Sequence, residues 1–236
     1  DALADAGEFV RVIENRQGML LCSSAGNDIL YDESQIEQGR NFGNKIWNAF
    51  RLITGWTVDA SLEQSDACEV AVKWFGNKLN AVDHFAKFRI SDALMAVYKF
   101  FWDDFCAWYL ELVKPAYGSP IDAKTYEATL EFFEDLLKMI HPIMPFITEE
   151  LWHAVRERGE NETIMFERYP VAGESDAEYV AAFGLATEVV AGIRNIRQQK
   201  GLSPREPLKA YFVGDFSEEM WPVVVKLANI SEIQHV

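Results

Sequence analysis

The chain has 236 residues, 49% of them hydrophobic, with seven Trp, eight Tyr and sixteen Phe, which supplies a sizeable ring-rich core and excludes a disordered tail. A formal net charge of −15 argues against a sequence-blind nucleic-acid binder, though not against a local basic face. Cys22, Cys68 and Cys106 are scattered with no C-x-x-C spacing, and no apolar run approaches the roughly 20 residues of a membrane span, so a reducing cytosol is expected, with neither a zinc site nor a disulfide framework.

Residues 1–33 read as a junction: a short helix within 2–14, an apolar run at 19–22, a turn-rich loop at 23–28 and a brief extended piece at 29–31. A helix follows over about 34–54, capped by Asp32 or Ser34, with Glu33 and Glu37 near its positive end. A second helix spans about 67–87, its apolar positions Val70, Trp74, Leu79, Val82 and Phe85 fitting a helical period only loosely. A third starts at Ser91 or Asp92 and ends at Pro115. Phe100, Phe101, Trp102, Phe105, Trp108 and Tyr109 lie all round it, which predicts a central, buried helix. Asp122 caps a fourth helix that turns Tyr126, Leu130, Phe133, Leu136, Leu137 and Ile140 inward. Pro142 and Pro145 then break the chain, and Thr148 opens a fifth helix with Leu151, Trp152 and Val155 inside.

After Arg158 the character changes. Residues 163–169 read as extended, stopped by Pro170. A long amphipathic helix over 177–200 carries Val180, Phe183, Leu185, Val189, Ile193 and Ile196, and Gly201 stops it. Residues 208–213 alternate as a strand. Ser217 caps a helix to about residue 227, broken or restarted near Pro222, and 230–236 form a second strand. The fold class is therefore mainly α: a helical bundle over 34–160, then a region over 161–236 that holds the long helix and a small α/β unit. The chain stops as that unit gets under way, so a truncated unit is expected.

The strongest chemical signal is residues 39–53, GRNFGNKIWNAFRLI. On a helix at roughly 100° per residue, Phe42, Ile46, Ala49, Phe50 and Ile53 share one side and Arg40, Asn44, Trp47, Asn48 and Arg51 the other, with no carboxylate in the stretch. Guanidinium groups suit phosphates and base edges, amides suit base edges, and an indole suits base faces. The same groups could also bond neighbouring carbonyls in a packed face, and the residues alone leave both readings open. A second basic cluster, Arg194, Arg197, Lys200, Arg205 and Lys209, is opposed only by Glu206 and straddles a helix C-terminus, where cations also serve to offset the dipole. His84, His141, His153 and His235 have no ligand spacing, and His141, before Pro142, reads as a capping or packing residue. Gly-rich phosphate loops, G-x-S-x-G elbows and H-E-x-x-H pairs are absent, so no complete active site is read.

Four stretches, MLLCSSAGNDILYDESQIEQGRNFGNKIWNAFRL, FFWDDFCAWYLELVKP, HPIMPFITEELW and IRNIRQQKGLSPREPL, closely resemble the C-terminal part of bacterial valyl-tRNA synthetases, over about residues 18–236. The second and third are shared more loosely with the isoleucyl and leucyl enzymes. The resemblance implies an anticodon-binding helical bundle joined to a small α/β module, with tRNA(Val) as partner. It implies helix-one contacts to the anticodon from Arg40, Asn44, Lys45, Asn48 and Arg51, with Trp47 as a further candidate and Arg194, Arg197 and Lys200 as a second patch. The H-I-G-H and K-M-S-K-S signatures of the catalytic domain are absent, as is the editing domain. The expectation is thus an inactive, cytoplasmic fragment without a cofactor of its own and without DNA or membrane partners. The parent valine–tRNA ligase would use ATP with magnesium in upstream domains. Two departures from the family pattern stand out: Leu52 occupies a place that is often aromatic, and residues 1–17 do not match. The rival readings are a helical protein-interaction module and the same domain from an isoleucyl enzyme.

Overall fold

The computed structural model describes residues 33–81, 90–159, 161–214 and 216–235. Most of the expected junction, the end of the second helix and His84 lie outside that range. In chain order the elements are α1 (Glu33–Thr54), β1 (Val58–Asp59), α2 (Asp66–Asn80), α3 (Ile90–Lys99), a π-helical stretch (Phe100–Tyr109), α4 (Leu110–Val113), β2 (Ile121–Asp122), α5 (Ala123–Ile140), α6 (Pro145–Val155), α7 (Ala177–Lys200), β3 (Leu208–Phe212), α8 (Trp221–Ala228) and β4 (Ile230–His235). Short 3-10 turns lie at Ile164–Phe166 and Glu218–Met220. The chain is mainly α, as expected. It divides into two compact units that interleave along the sequence: Asp1–Thr57, Asp83–Cys106 and Tyr126–Val171 in the first, and Val58–Val82, Ala107–Thr125 and Ala172–Val236 in the second.

In the first unit, α1 buries Phe42, Ile46, Ala49 and Ile53. Leu94, Val97, Phe101 and Phe105 come from the third helical run, Leu130, Phe133, Leu137 and Ile140 from α5, and Leu151 and Trp152 from α6. Phe42 meets Phe101 edge-on, with ring centroids 5.6 Å apart. Helix α6 begins at Pro145, three residues before Thr148, because proline at the first helical position has no amide to leave unbonded. Thr148 is instead buried, and its hydroxyl donates to the Met144 carbonyl at 2.8 Å. His141 Nδ1 lies 2.7 Å from the same hydroxyl oxygen, in keeping with a packing role. Burial holds the His141 imidazole below its ordinary pKa, against a smaller upward pull from Glu149. The Arg158 guanidinium carbon lies over the Trp152 ring, 3.6 Å from its centroid, and the side chain pairs with Glu134, which also takes Arg156 at 2.9 Å.

The segment expected to be extended at 163–169 instead holds a 3-10 turn. Glu149 explains it: its carboxylate accepts from the Thr163 hydroxyl at 2.8 Å and the Ile164 amide at 3.4 Å, while Thr163 Oγ1 accepts from the Met165 amide. A local cap outcompetes the strand propensity of an apolar run that has no partner strand among the described residues.

The third helical run is the largest departure from expectation. Residues 100–109 are π-helical, with buried side chains falling in pairs at Phe100/Phe101, Phe105/Cys106 and Tyr109/Leu110. That spacing matches a wide turn of about 4.4 residues, not 3.6. Trp102 and Trp108 are consequently only half-buried.

In the second unit, Trp74 of α2 stacks on Phe183 of α7 at 3.9 Å and 13°. Asp176 caps α7 by accepting from the Tyr179 amide at 2.9 Å. Gly201 ends it at φ 66°, a left-handed conformation that glycine adopts without steric cost. The inner stripe of α7 is Tyr179, Phe183, Ala186 and Val190, whereas Leu185 and Ile196, two of the apolar residues that the amphipathic segment carries, are 54% and 57% exposed. Strands β3 and β4 pair in parallel around α8, Leu208 against Ile230 through Phe212 against His235, forming the expected strand–helix–strand unit. Asp122, buried, caps α5 by accepting from the Thr125 amide at 2.8 Å.

Candidate nucleic-acid interface

Helix α1 is oriented by its apolar stripe. Each large buried side chain contributes about 1.5–3 kcal/mol, and Phe42, Ile46 and Ile53 are all essentially excluded from water. A surface ion pair contributes at most about 1 kcal/mol, so the stripe decides which side of α1 faces out. The outward side is the polar one. Arg40, Asn44, Asn48 and Arg51 are exposed, and Trp47 is 41% exposed. Trp47 leans on Phe50 with centroids 5.7 Å apart, which leaves much of the indole in solvent.

Two members of the face are already engaged. Arg40 donates to Glu37 at 3.0 Å, and both side chains are 61% exposed. A carboxylate therefore stands at the rim of a stretch that has none of its own. Lys45 is half-buried and turned to one flank, with its ammonium 5.1 Å from the Trp102 ring centroid. Trp102 in turn stacks on Tyr98 at 5.5 Å and 22°. At 3.6 residues per turn Trp102 is one ring among many on a helix apolar all round; only a period of four to five residues sets it apart. Beside Lys45, the Cys106 thiol is pushed up to about 12 by burial, slightly opposed by that ammonium, which leaves it unreactive near neutral pH.

The second basic cluster resolves differently. Arg197 is 4% exposed. Its Nη1 donates to the carbonyls of Ser203 and Glu206 at 2.9 and 2.7 Å, and its Nη2 to those of Ala228 and Asn229, both at 3.0 Å. This guanidinium ties the end of α7, the turn after it and the end of α8 together and is out of reach of any ligand. Arg194 is exposed but donates to the Leu227 carbonyl at 3.0 Å and lies 5.8 Å from the Trp108 ring. Lys209 pairs with Glu232 at 2.5 Å, which holds that carboxyl below its usual range. Lys200 and Arg205 remain on the surface. Among the described residues, no cluster of His, Cys, Asp and Glu could hold a metal ion, and no helix is long and apolar enough to cross a membrane.

The sequence pattern of the anticodon-binding domain of tRNA ligases matches residues 77–212. The valine–tRNA ligases of Parabacteroides distasonis and Porphyromonas gingivalis are each 50% identical to this chain over 226 residues, covering 94% of it and 26% of their own length. That of Fusobacterium nucleatum is 36% identical over 241 residues, covering 92% of the chain and 27% of itself. The chain thus spans about a quarter of the length of these relatives. The family pattern begins after α1, but alignments covering 94% of the chain necessarily include that helix. All three relatives are valine ligases, which does not favour the isoleucyl reading. Matched over more than half its length by that pattern, the chain belongs to the anticodon-binding domains of tRNA ligases.

Proposed function

We propose that this chain grips the anticodon stem-loop of tRNA(Val) and positions that tRNA for ATP-dependent aminoacylation by a valine–tRNA ligase of which it forms part. One observation carries the reading: α1 buries its apolar side and presents Arg40, Asn44, Asn48, Arg51 and the half-exposed Trp47 to solvent, with no carboxylate between Gly39 and Ile53. Unpaired loop bases are read by stacking and by hydrogen bonds to their edges, and phosphates by cations. This face offers all three kinds of group within one helix, with Lys45 at its flank. Arg194 and Lys200 are proposed as auxiliary backbone contacts; Arg197 is not, because it is buried and both its Nη groups donate to carbonyls. Adenylate formation, with ATP and magnesium, belongs to the catalytic part of the ligase. The reading puts the protein in the cytoplasm, where its tRNA is.

The test is filter binding of the chain to a hairpin bearing the valine anticodon loop and to a hairpin with another anticodon. The expected result is preference for the valine loop, weakened by Arg40→Ala and by Arg51→Ala while the fold persists. Unchanged affinity in both variants would overturn the site, and equal affinity for both hairpins would overturn the specificity. Tight, sequence-blind binding to duplex DNA would contradict the reading altogether.

A further inference from the structure

We propose that Trp102, backed by Tyr98 and roofed by Lys45, is a stacking subsite for one unpaired base of the RNA that α1 reads. The inference rests on the RNA-binding reading above and adds a place for one nucleotide. Lys45, Asn48 and Leu52 are spaced three and seven residues apart, so they line one flank of the polar face. Trp102 sits against that flank through the Lys45 ammonium, 5.1 Å from its ring. It is held from behind: Tyr98 stacks on it at 5.5 Å, and Tyr98 packs against the buried Phe42 at 4.9 Å. The ring is therefore rooted in the core yet half-exposed, while Phe100, Phe101 and Phe105 beside it are buried. The wide π-helical turn accounts for this by rotating residue 102 away from the inward pairs.

An indole face next to an ammonium, on the border of a face with two guanidinium groups, is matched to a nucleotide: the ring takes the base, and the cation takes the phosphate. Without RNA, Lys45 occupies the indole face. Base–aromatic stacking is a stronger contact than an exposed cation–π pair. An incoming base therefore displaces the ammonium, which is free to turn to that nucleotide's own phosphate. Leu52, on the same flank, contributes an apolar edge but no ring.

The test pairs the unmodified chain, Trp102→Leu and Trp102→Phe with an RNA hairpin carrying the valine anticodon loop, intact or with one loop base removed to leave an abasic sugar. One abasic position is expected to cost the unmodified chain about tenfold in affinity, the order of one stacked base. The same change is expected to cost Trp102→Leu nothing further, and Trp102→Phe to keep most of the affinity. Equal abasic penalties on the unmodified chain and Trp102→Leu at every loop position overturn the subsite. If Trp102→Leu loses its fold, fluorine NMR of the 5-fluorotryptophan-labelled chain decides: the resonance that disappears in Trp102→Phe must move when intact hairpin is added, and a stationary resonance overturns the proposal. Should Arg51→Ala weaken hairpin binding while Trp102 shows no coupling, the RNA reading stands and the subsite alone falls. Should the unmodified chain not bind the hairpin, both fall.

Discussion

Two clusters of arginine on two helices look alike in sequence and do opposite things in the folded chain. On α1, Arg40 and Arg51 stand in solvent because the residues between them at helical spacing are amides and an indole, and the buried stripe lies on the other side. At the end of α7, Arg197 falls on the inward stripe itself, in line with Phe183 and Val190, and four carbonyls converge on it. A guanidinium facing water is available to a ligand; one whose two Nη groups are spent on backbone oxygen serves the fold. Azimuth on the helix, not local charge, separates the two.

The largest expected effect tests the structural member of the pair. Arg197→Ala removes a charged donor from four carbonyls, of which those of Ser203 and Asn229 keep the Glu206 and Leu208 amides, and the loss is expected to lower stability by about 3 kcal/mol, the scale for breaking a charged hydrogen-bond network. Urea unfolding followed by circular dichroism measures this, and a change under 1 kcal/mol would place Arg197 on the surface side of the comparison. Next come the α1 arginines. Arg40→Ala and Arg51→Ala are each expected to weaken hairpin binding by about tenfold, or about 1.4 kcal/mol, with Tm unchanged; a drop in Tm would make them structural as well. Each loss should also flatten the dependence of affinity on salt, since fewer counterions are released.

Much of this was legible beforehand. Periodicity placed α1, α7 and both strands of the α/β unit, and of the ten residues it assigned to the two faces of α1 only Phe50, which is half-exposed, departs from its side. It failed where the period itself changes. Read at 3.6 residues per turn, residues 100–109 are apolar on all sides; read at the wider π spacing they separate into buried pairs and half-exposed tryptophans. At α7 hydrophobicity marks the wrong residues: Leu185 and Ile196 are exposed while Tyr179 and Arg197, both polar-tipped, take buried positions. Hydrophobicity alone does not reveal that carbonyls from a distant turn will satisfy a guanidinium.

A smaller effect sharpens the view of the first unit. Burial keeps His141 neutral in the folded state below its ordinary pKa of 6.5. As pH falls through that value the unfolded chain binds a proton first, so stability declines with acidification and is undiminished above it. His141→Asn is expected to flatten this slope in thermal melts between pH 7 and pH 5 (roughly the range in which histidine titrates), and an unaltered slope would assign it to other groups. The smallest effect concerns the rim of the α1 face. Glu37→Gln frees Arg40 from an exposed ion pair worth at most about 1 kcal/mol, so hairpin affinity should rise by about two- to threefold in low salt. A fall would mean that Glu37 orients Arg40 rather than competing for it.

Four carbonyl oxygens converge on the Arg197 guanidinium. Cutting the side chain back to alanine leaves a slot shaped for a planar cation and lined by oxygen. Free guanidinium ion fits that slot. In the Arg197→Ala chain, guanidinium chloride at low concentration should therefore raise thermal stability before it begins to lower it, whereas urea, which carries no charge, should only lower it. A compound ordinarily used to unfold proteins would here act first as a missing side chain.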